Sequence, residues 1–159
     1  MLNTACTVIR DSYGGDEVMV KRLSVVDSER CTGCQLCMFN CSRRFGVGGL
    51  GKSTIHVKSA GGVERGFVVV VCRACEDPAP CARVCPVDAL QSRNGYGVTL
   101  NRDRCIGCKM CVEACPIGAV FWDEENNKPA ICVYCGVCAK YCPHSVIALE
   151  EIKTGSEVT

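Results

Sequence analysis

The run Cys31-x2-Cys34-x2-Cys37-x3-Cys41 recurs three more times, and nothing else in the sequence limits the fold so strongly. The second copy is Cys72-x2-Cys75-x5-Cys81-x3-Cys85-Pro86, the third Cys105-x2-Cys108-x2-Cys111-x3-Cys115-Pro116, and the fourth Cys132-x2-Cys135-x2-Cys138-x3-Cys142-Pro143. An internal repeat outweighs local propensity, because each unit has to be stabilised against its neighbours. Sixteen of the 17 cysteines fall in these runs, and Cys6 stands apart as an expected free N-terminal thiol. Cysteine at this density either staples a chain with disulfides or binds metal.

Stapling requires an oxidising compartment. The opening Met1-Leu2-Asn3-Thr4-Ala5-Cys6-Thr7-Val8-Ile9-Arg10 has no basic stretch leading into an apolar one, and the Arg43-Arg44 pair lies well inside the chain. The expected location is therefore the reducing cytoplasm, where thiols bind metal. Zinc sites take their cysteines as two separated pairs, not four in one run. Three cysteines two residues apart instead let a tight loop wrap three corners of a [4Fe–4S] cubane, with backbone N–H groups aimed at the sulfurs. Gly33, Ala74, Gly107 and Gly136 keep the loops narrow. The fourth cysteine follows a helical turn, out of reach of the same cubane; in two-cluster ferredoxins the cysteine at this place ligates the neighbouring cluster. The proline after it is expected to end the turn and start an extended segment: Pro86 to Leu90, Pro116 to Val120 and Pro143 to Ile147. Every run offers four cysteines, so no iron is expected to stay open to a substrate.

Charge and hydropathy narrow the partners. The formal net charge is +1 with neutral thiols. A +2 cubane core on four thiolates carries about −2, so four of them bring the loaded chain to about −7. That sign argues against nucleic acid and for docking on a basic patch of another protein. The longest apolar run, Phe67-Val68-Val69-Val70-Val71-Cys72, reads as a buried strand. It is far short of the ~20 residues of a membrane-spanning helix.

Several features imitate other sites. Gly46-Val47-Gly48-Gly49-Leu50-Gly51-Lys52-Ser53 matches the phosphate-binding pattern G-x-x-x-x-G-K-S, but a cysteine run precedes it and the strand-like Thr54-Ile55-His56-Val57-Lys58 follows. A phosphate-binding loop needs a strand before and a long helix after, so the expectation is a plain loop and no nucleotide site. Thr54–Ser59 and Phe67–Val71 flank a glycine-rich turn and read as a hairpin that serves docking, covers a cluster or is plain scaffold. His56 and His144 read as ordinary surface or satisfied histidines. Trp122, Tyr134 and Tyr141 are expected to shield clusters from water. Arg43, Arg44 and Arg73 read as solvated charge beside ligand cysteines.

Cysteine-rich loop, helical turn and short strand, repeated, make an α+β layout. From about Val18 to Ile152 the sequence resembles the four-cluster ferredoxin-like electron-transfer subunits of molybdenum and tungsten oxidoreductases. The lengthened second run, Cys72 to Pro86, carries that likeness. Within the group, the first run and the small size resemble the small iron–sulfur subunit of tungsten-containing aldehyde:ferredoxin oxidoreductases. The resemblance implies two ferredoxin-like units, each built around a pair of [4Fe–4S] clusters, in a domain over 18–152, with an extension over 1–17 and a tail over 153–159.

It also implies nested pairing, runs 31–41 with 132–142 and 72–85 with 105–115. Cys31, Cys34, Cys37 and Cys142 then hold one cluster. Cys72, Cys75, Cys81 and Cys115 hold a second, Cys105, Cys108, Cys111 and Cys85 a third, and Cys132, Cys135, Cys138 and Cys41 the fourth. The 27-residue step from Cys105 to Cys132 suits tandem pairing equally, and spacing alone does not choose. Ser42 replaces the usual proline, which leaves the chain path after Cys41 open.

The implied role is a non-catalytic wire. It takes single electrons from a tungsten or molybdenum pterin subunit that oxidises an aldehyde, and passes them to a ferredoxin or a flavin/NAD-reducing subunit. A free-standing polyferredoxin shuttle is the alternative, as is service to another molybdopterin oxidoreductase. Different faces at the two ends of such a wire would also permit head-to-tail stacking into filaments.

Overall fold

The computed structural model describes residues 19–61, 66–93 and 95–153. Cys6 with the 1–17 extension, the middle of the glycine-rich turn and residues 154–159 of the tail lie outside the described residues.

The first lobe opens with β1 (Met19–Val25), α1 (Leu36–Arg43), β2 (Ile55–Ser59) and β3 (Phe67–Val71). The middle of the chain forms α2 (Pro80–Arg83), β4 (Leu90–Ser92), β5 (Val98–Leu100), α3 (Met110–Glu113), β6 (Phe121–Asp123) and β7 (Lys128–Ala130). The chain then returns through α4 (Val137–Lys140) and β8 (Ile147–Lys153). Four two-stranded antiparallel ladders result: β1 with β8, β2 with β3, β4 with β5 and β6 with β7.

The β1–β8 ladder sets the topology. It pairs Met19 with Lys153 and runs to Val25 with Ile147, bringing the first run beside the last. Ser24 Oγ donates to Glu150 at 2.6 Å and Arg22 Nε donates to the same carboxylate at 3.0 Å. Helix α1 packs on α4, and α2 on α3. Two apolar cores follow. One gathers Leu23, Ile55, Val71, Val146 and Ile147. The other gathers Ala79, Leu90, Val98 and Val120. Among the described residues no helix is long and apolar enough to cross a membrane.

Proline controls the local path. Helix α1 runs for 8 residues, whereas α2, α3 and α4 each have 4. The shorter helices stop before Pro86, Pro116 and Pro143, because a residue ahead of proline is pushed out of helical geometry. Ser42 imposes no such limit, and the helix continues through it to Arg43. The segments after the prolines do not extend at once, as the sequence suggested. Each first makes a turn through a left-handed residue, Asp88 (φ 48°), Gly118 (φ 63°) or Ser145 (φ 52°), and β4, β6 and β8 start beyond it. The reason for the turn lies in the sulfur that it faces.

Candidate iron–sulfur centres

Within each run the backbone is coiled by left-handed residues. Gly33, Ala74, Gly107 and Tyr134, each just before the second cysteine, have φ of 71°, 50°, 73° and 54°. Gln35, Lys109 and Gly136, just after it, have φ of 58°, 64° and 73° and begin α1, α3 and α4. In the lengthened second run Pro80 begins the helix instead, its missing N–H costing nothing at that position. Glycine is required at Gly107, where an added Cβ would lie 2.5 Å from Asn127 Nδ2 and 2.9 Å from its carbonyl oxygen.

The sixteen cysteines surround four cavities. Cys31, Cys34, Cys37 and Cys142 line one. Cys72, Cys75, Cys81 and Cys115 line a second, and Cys85, Cys105, Cys108 and Cys111 a third. Cys41, Cys132, Cys135 and Cys138 line the fourth, and Cys132 also reaches the wall of the second. Each cavity thus takes three cysteines of one run and the last cysteine of another. The grouping follows from the β1–β8 ladder and the helix pairs, which turn the end of one run toward the loop of its partner.

The turns after the prolines serve the sulfurs. Ala89 N donates to Cys85 Sγ at 3.2 Å, Ala119 N to Cys115 Sγ at 3.2 Å and Val146 N to Cys142 Sγ at 3.3 Å. In all three the donor stands four residues after its cysteine, aimed by the left-handed residue before it. Where Ser42 removes the turn, the donor comes from 13 residues away: Thr54 N reaches Cys41 Sγ at 3.4 Å.

Electrostatics fit a cationic occupant. Burial, reinforced by neighbouring thiolates, pushes the Cys37, Cys81 and Cys111 thiols up to about 11. The same causes push Cys132 and Cys138 to about 12. Thiolates gathered around such buried sulfurs need a positive core to compensate them. Burial acts on Cys85 as well, but N–H groups of Val87, Leu90 and Ala89 outweigh it and hold that thiol below its ordinary range. Among the described residues no three His, Cys, Asp or Glu side chains come close enough to grip one metal ion. A zinc site would hold its sulfurs about 3.8 Å apart, given Zn–S bonds of about 2.3 Å. The donor set therefore fits a bulky [4Fe–4S] core better than a single ion.

Other side chains fall into place around the cavities. Val57 and Val69 of the β2–β3 hairpin roof the Cys31 cavity beside His144. Trp122 and Pro129 wall the Cys85 cavity. His56 stacks on Phe121, ring centroids 3.8 Å apart. Tyr141 does not shield a cavity as expected: it is 50% exposed, with Lys140 over its ring. Tyr134 is buried, but beyond packing it places its hydroxyl 3.1 Å from Cys72 Sγ. That contact and Thr54 were missed in the sequence. The clue to the first was a bulky residue where the other three runs carry Gly or Ala.

A further cleft, of about 460 Å3, is lined by Lys52, Arg102, Asp123 and Asn126 among apolar neighbours and by none of the sixteen cysteines. Lys52 is held there by Glu125 at 2.7 Å, and Ser53 Oγ donates to Ile55 O. The Gly46–Ser53 loop follows α1 and leads into β2, without the strand and long helix of a phosphate-binding loop.

The family profile of the 4Fe-4S single cluster domain matches residues 25–92, and that of the 4Fe-4S dicluster domain matches 104–146. The dicluster match spans the third and fourth runs, yet the structure turns Cys115 toward the second run and Cys142 toward the first. An uncharacterized ferredoxin of Methanocaldococcus jannaschii is 32% identical over 133 residues, 84% of this chain and 78% of that protein. A tetrathionate reductase subunit of Salmonella typhimurium is 34% identical over 70% of this chain and 46% of its own length. Electron transport protein HydN of Escherichia coli is 38% identical over 64% of this chain and 59% of its own. The chain thus spans only about half the length of these last two relatives. Sequence, cavities and donor chemistry agree that the chain belongs to the ferredoxin family and is built for more than one [4Fe–4S] cluster.

Proposed function

We propose that the chain carries four [4Fe–4S] clusters, one in each cavity, and relays single electrons for a catalytic partner. The ligand sets are Cys31, Cys34, Cys37 and Cys142; Cys72, Cys75, Cys81 and Cys115; Cys105, Cys108, Cys111 and Cys85; and Cys132, Cys135, Cys138 and Cys41. Bound there, the clusters supply one-electron storage. The chain's own residues hold the sulfurs, donate N–H groups to them and exclude water. The observation that carries this reading is four separate cavities, each ringed by four cysteines, with Cys132 reaching two of them.

The partner in this reading is a tungsten or molybdenum pterin subunit oxidising an aldehyde, and electrons leave to a ferredoxin or a flavin/NAD-reducing protein. Similarity to a subunit of tetrathionate reductase and to an electron transport protein supports an accessory role in an oxidoreductase. The tungsten and aldehyde identity rests on the resemblance of the first run and small size alone. The place of action is the cytoplasm. Cys34, exposed beside Leu36 and Phe39, and Cys108, exposed beside Ile106 and Met110, give the two lobes different faces for docking. Copies whose faces complement each other would stack head to tail, which mass photometry of the complex would reveal as a ladder of sizes.

Iron and sulfide analysis of anaerobically prepared protein tests the core of the proposal. About 16 irons per chain are expected; about four or fewer would sink it. Co-purification with a pterin subunit tests the partner. Isolation alone would favour a soluble shuttle, the reading to which similarity across 78% of a ferredoxin lends weight.

A further inference from the structure

Tyr134 belongs to the fourth run but reaches the second. Its backbone N–H donates to Cys132 Sγ at 3.4 Å, and its hydroxyl lies 3.1 Å from Cys72 Sγ. These sulfurs line two different cavities, one in each lobe. The ring is held from the far lobe. Arg93 sits over it at 5.9 Å and donates to Val133 O at 3.3 Å. Gly97 leaves it room, since a Cβ there would come within 2.6 Å of the hydroxyl. Tyr134 is only 3% exposed, and its φ of 54° is a left-handed conformation that a bulky residue rarely adopts. The other runs fill the same position with Gly33, Ala74 and Gly107. A strained, buried aromatic kept in place by both lobes points to a role that a smaller residue would not perform.

Resting on the four-cluster reading above, the geometry points to Tyr134 as a tuning residue between two centres: its hydroxyl raises the reduction potential of the centre bound by Cys72, and its backbone ties that centre to the one bound by Cys132. An iron-bound thiolate has no proton to give, so the hydroxyl must donate to Cys72. Adding an electron makes the cluster and its sulfurs more negative, and a fixed donor stabilises that state more than the oxidised one. Little water reaches the site to substitute for the lost donor, so the effect is not masked.

The test is the Tyr134→Phe variant of the whole chain, loaded and handled anaerobically. The ring stays, so iron content should match wild type. Redox titration followed by electron paramagnetic resonance should show one centre moved to a more negative midpoint and the centres bound by Cys31 and Cys105 unmoved. Proton hyperfine spectra should show one exchangeable proton more on that centre in wild type than in the variant, beyond those of backbone donors such as Ala119 N–H on Cys115. Full iron with superimposable titrations, or no such additional proton in wild type, would overturn the assignment while leaving the electron-transfer reading intact. Wild type with four irons or fewer would overturn both.

Discussion

Thr54 closes over Cys41: besides its backbone N–H, its hydroxyl lies 3.3 Å from the sulfur in a pocket where Thr54 is 5% exposed. With the thiolate bound to iron, that hydroxyl is a donor. Thr54→Val keeps the shape and removes the donor. A hydrogen bond worth about 1 kcal/mol corresponds to about 40 mV for one electron. The bond is present in both redox states and only its strengthening on reduction moves the potential, so the midpoint of the Cys41-bound centre should fall by at most about that amount, read by potentiometric titration with iron content unchanged.

The grouping of sulfurs predicts where damage spreads. Cys142 stands in the fourth run but faces Cys31, Cys34 and Cys37. Cys142→Ser should alter the spectrum or occupancy of that centre and spare the one bound by Cys132, Cys135 and Cys138. Damage confined to the centre bound by Cys105, Cys108 and Cys111, as tandem pairing requires, would refute nested pairing.

Two glycines with the same left-handed φ should respond unequally. Gly107 has φ 73° and Asn127 against it, whereas Gly46 has φ 73° and nothing within 4 Å. Gly46→Ala should cost about 1–2 kcal/mol, the strain of a left-handed residue alone. Gly107→Ala should cost distinctly more, because backbone of the β6–β7 turn must also move. Denaturation midpoints of the loaded proteins compare the two.

His56 makes a pH prediction. Burial first, then the nearby Lys58, hold its imidazole below the ordinary value of 6.5. The Phe121 ring face favours the cation by only about 0.5–1 kcal/mol and does not reverse the sign. Unfolded chains therefore bind this proton more readily than folded ones. The stabilisation is complete above about 6.5 and is lost as pH falls through the lower, folded pKa. Wild type should lose stability as pH falls below about 6.5, and His56→Phe should flatten that decline in parallel denaturant titrations.

Much of the fold was legible because much of it is local. The hairpin of Ile55–Ser59 with Phe67–Val71 stands close to where the sequence placed it. The turns after Pro86, Pro116 and Pro143 were not legible. Their left-handed residues are Asp88, Gly118 and Ser145, and only glycine among these signals such a conformation by type. Tyr141 and Tyr134 looked alike in sequence, and their separation into an exposed ring and a buried donor depends on what the other lobe brings near.

By itself the sequence determined the four three-cysteine loops and the points where three of their helices must stop, because ligand spacing and proline act within five or six residues of chain. Tertiary structure alone decided which fourth sulfur faces which loop, that Thr54 caps Cys41, and that Tyr134 reaches Cys72 from 62 positions away. Those contacts depend on how the β1–β8 ladder and two packed helix pairs orient separate segments, and no spacing along the chain encodes a direction in space.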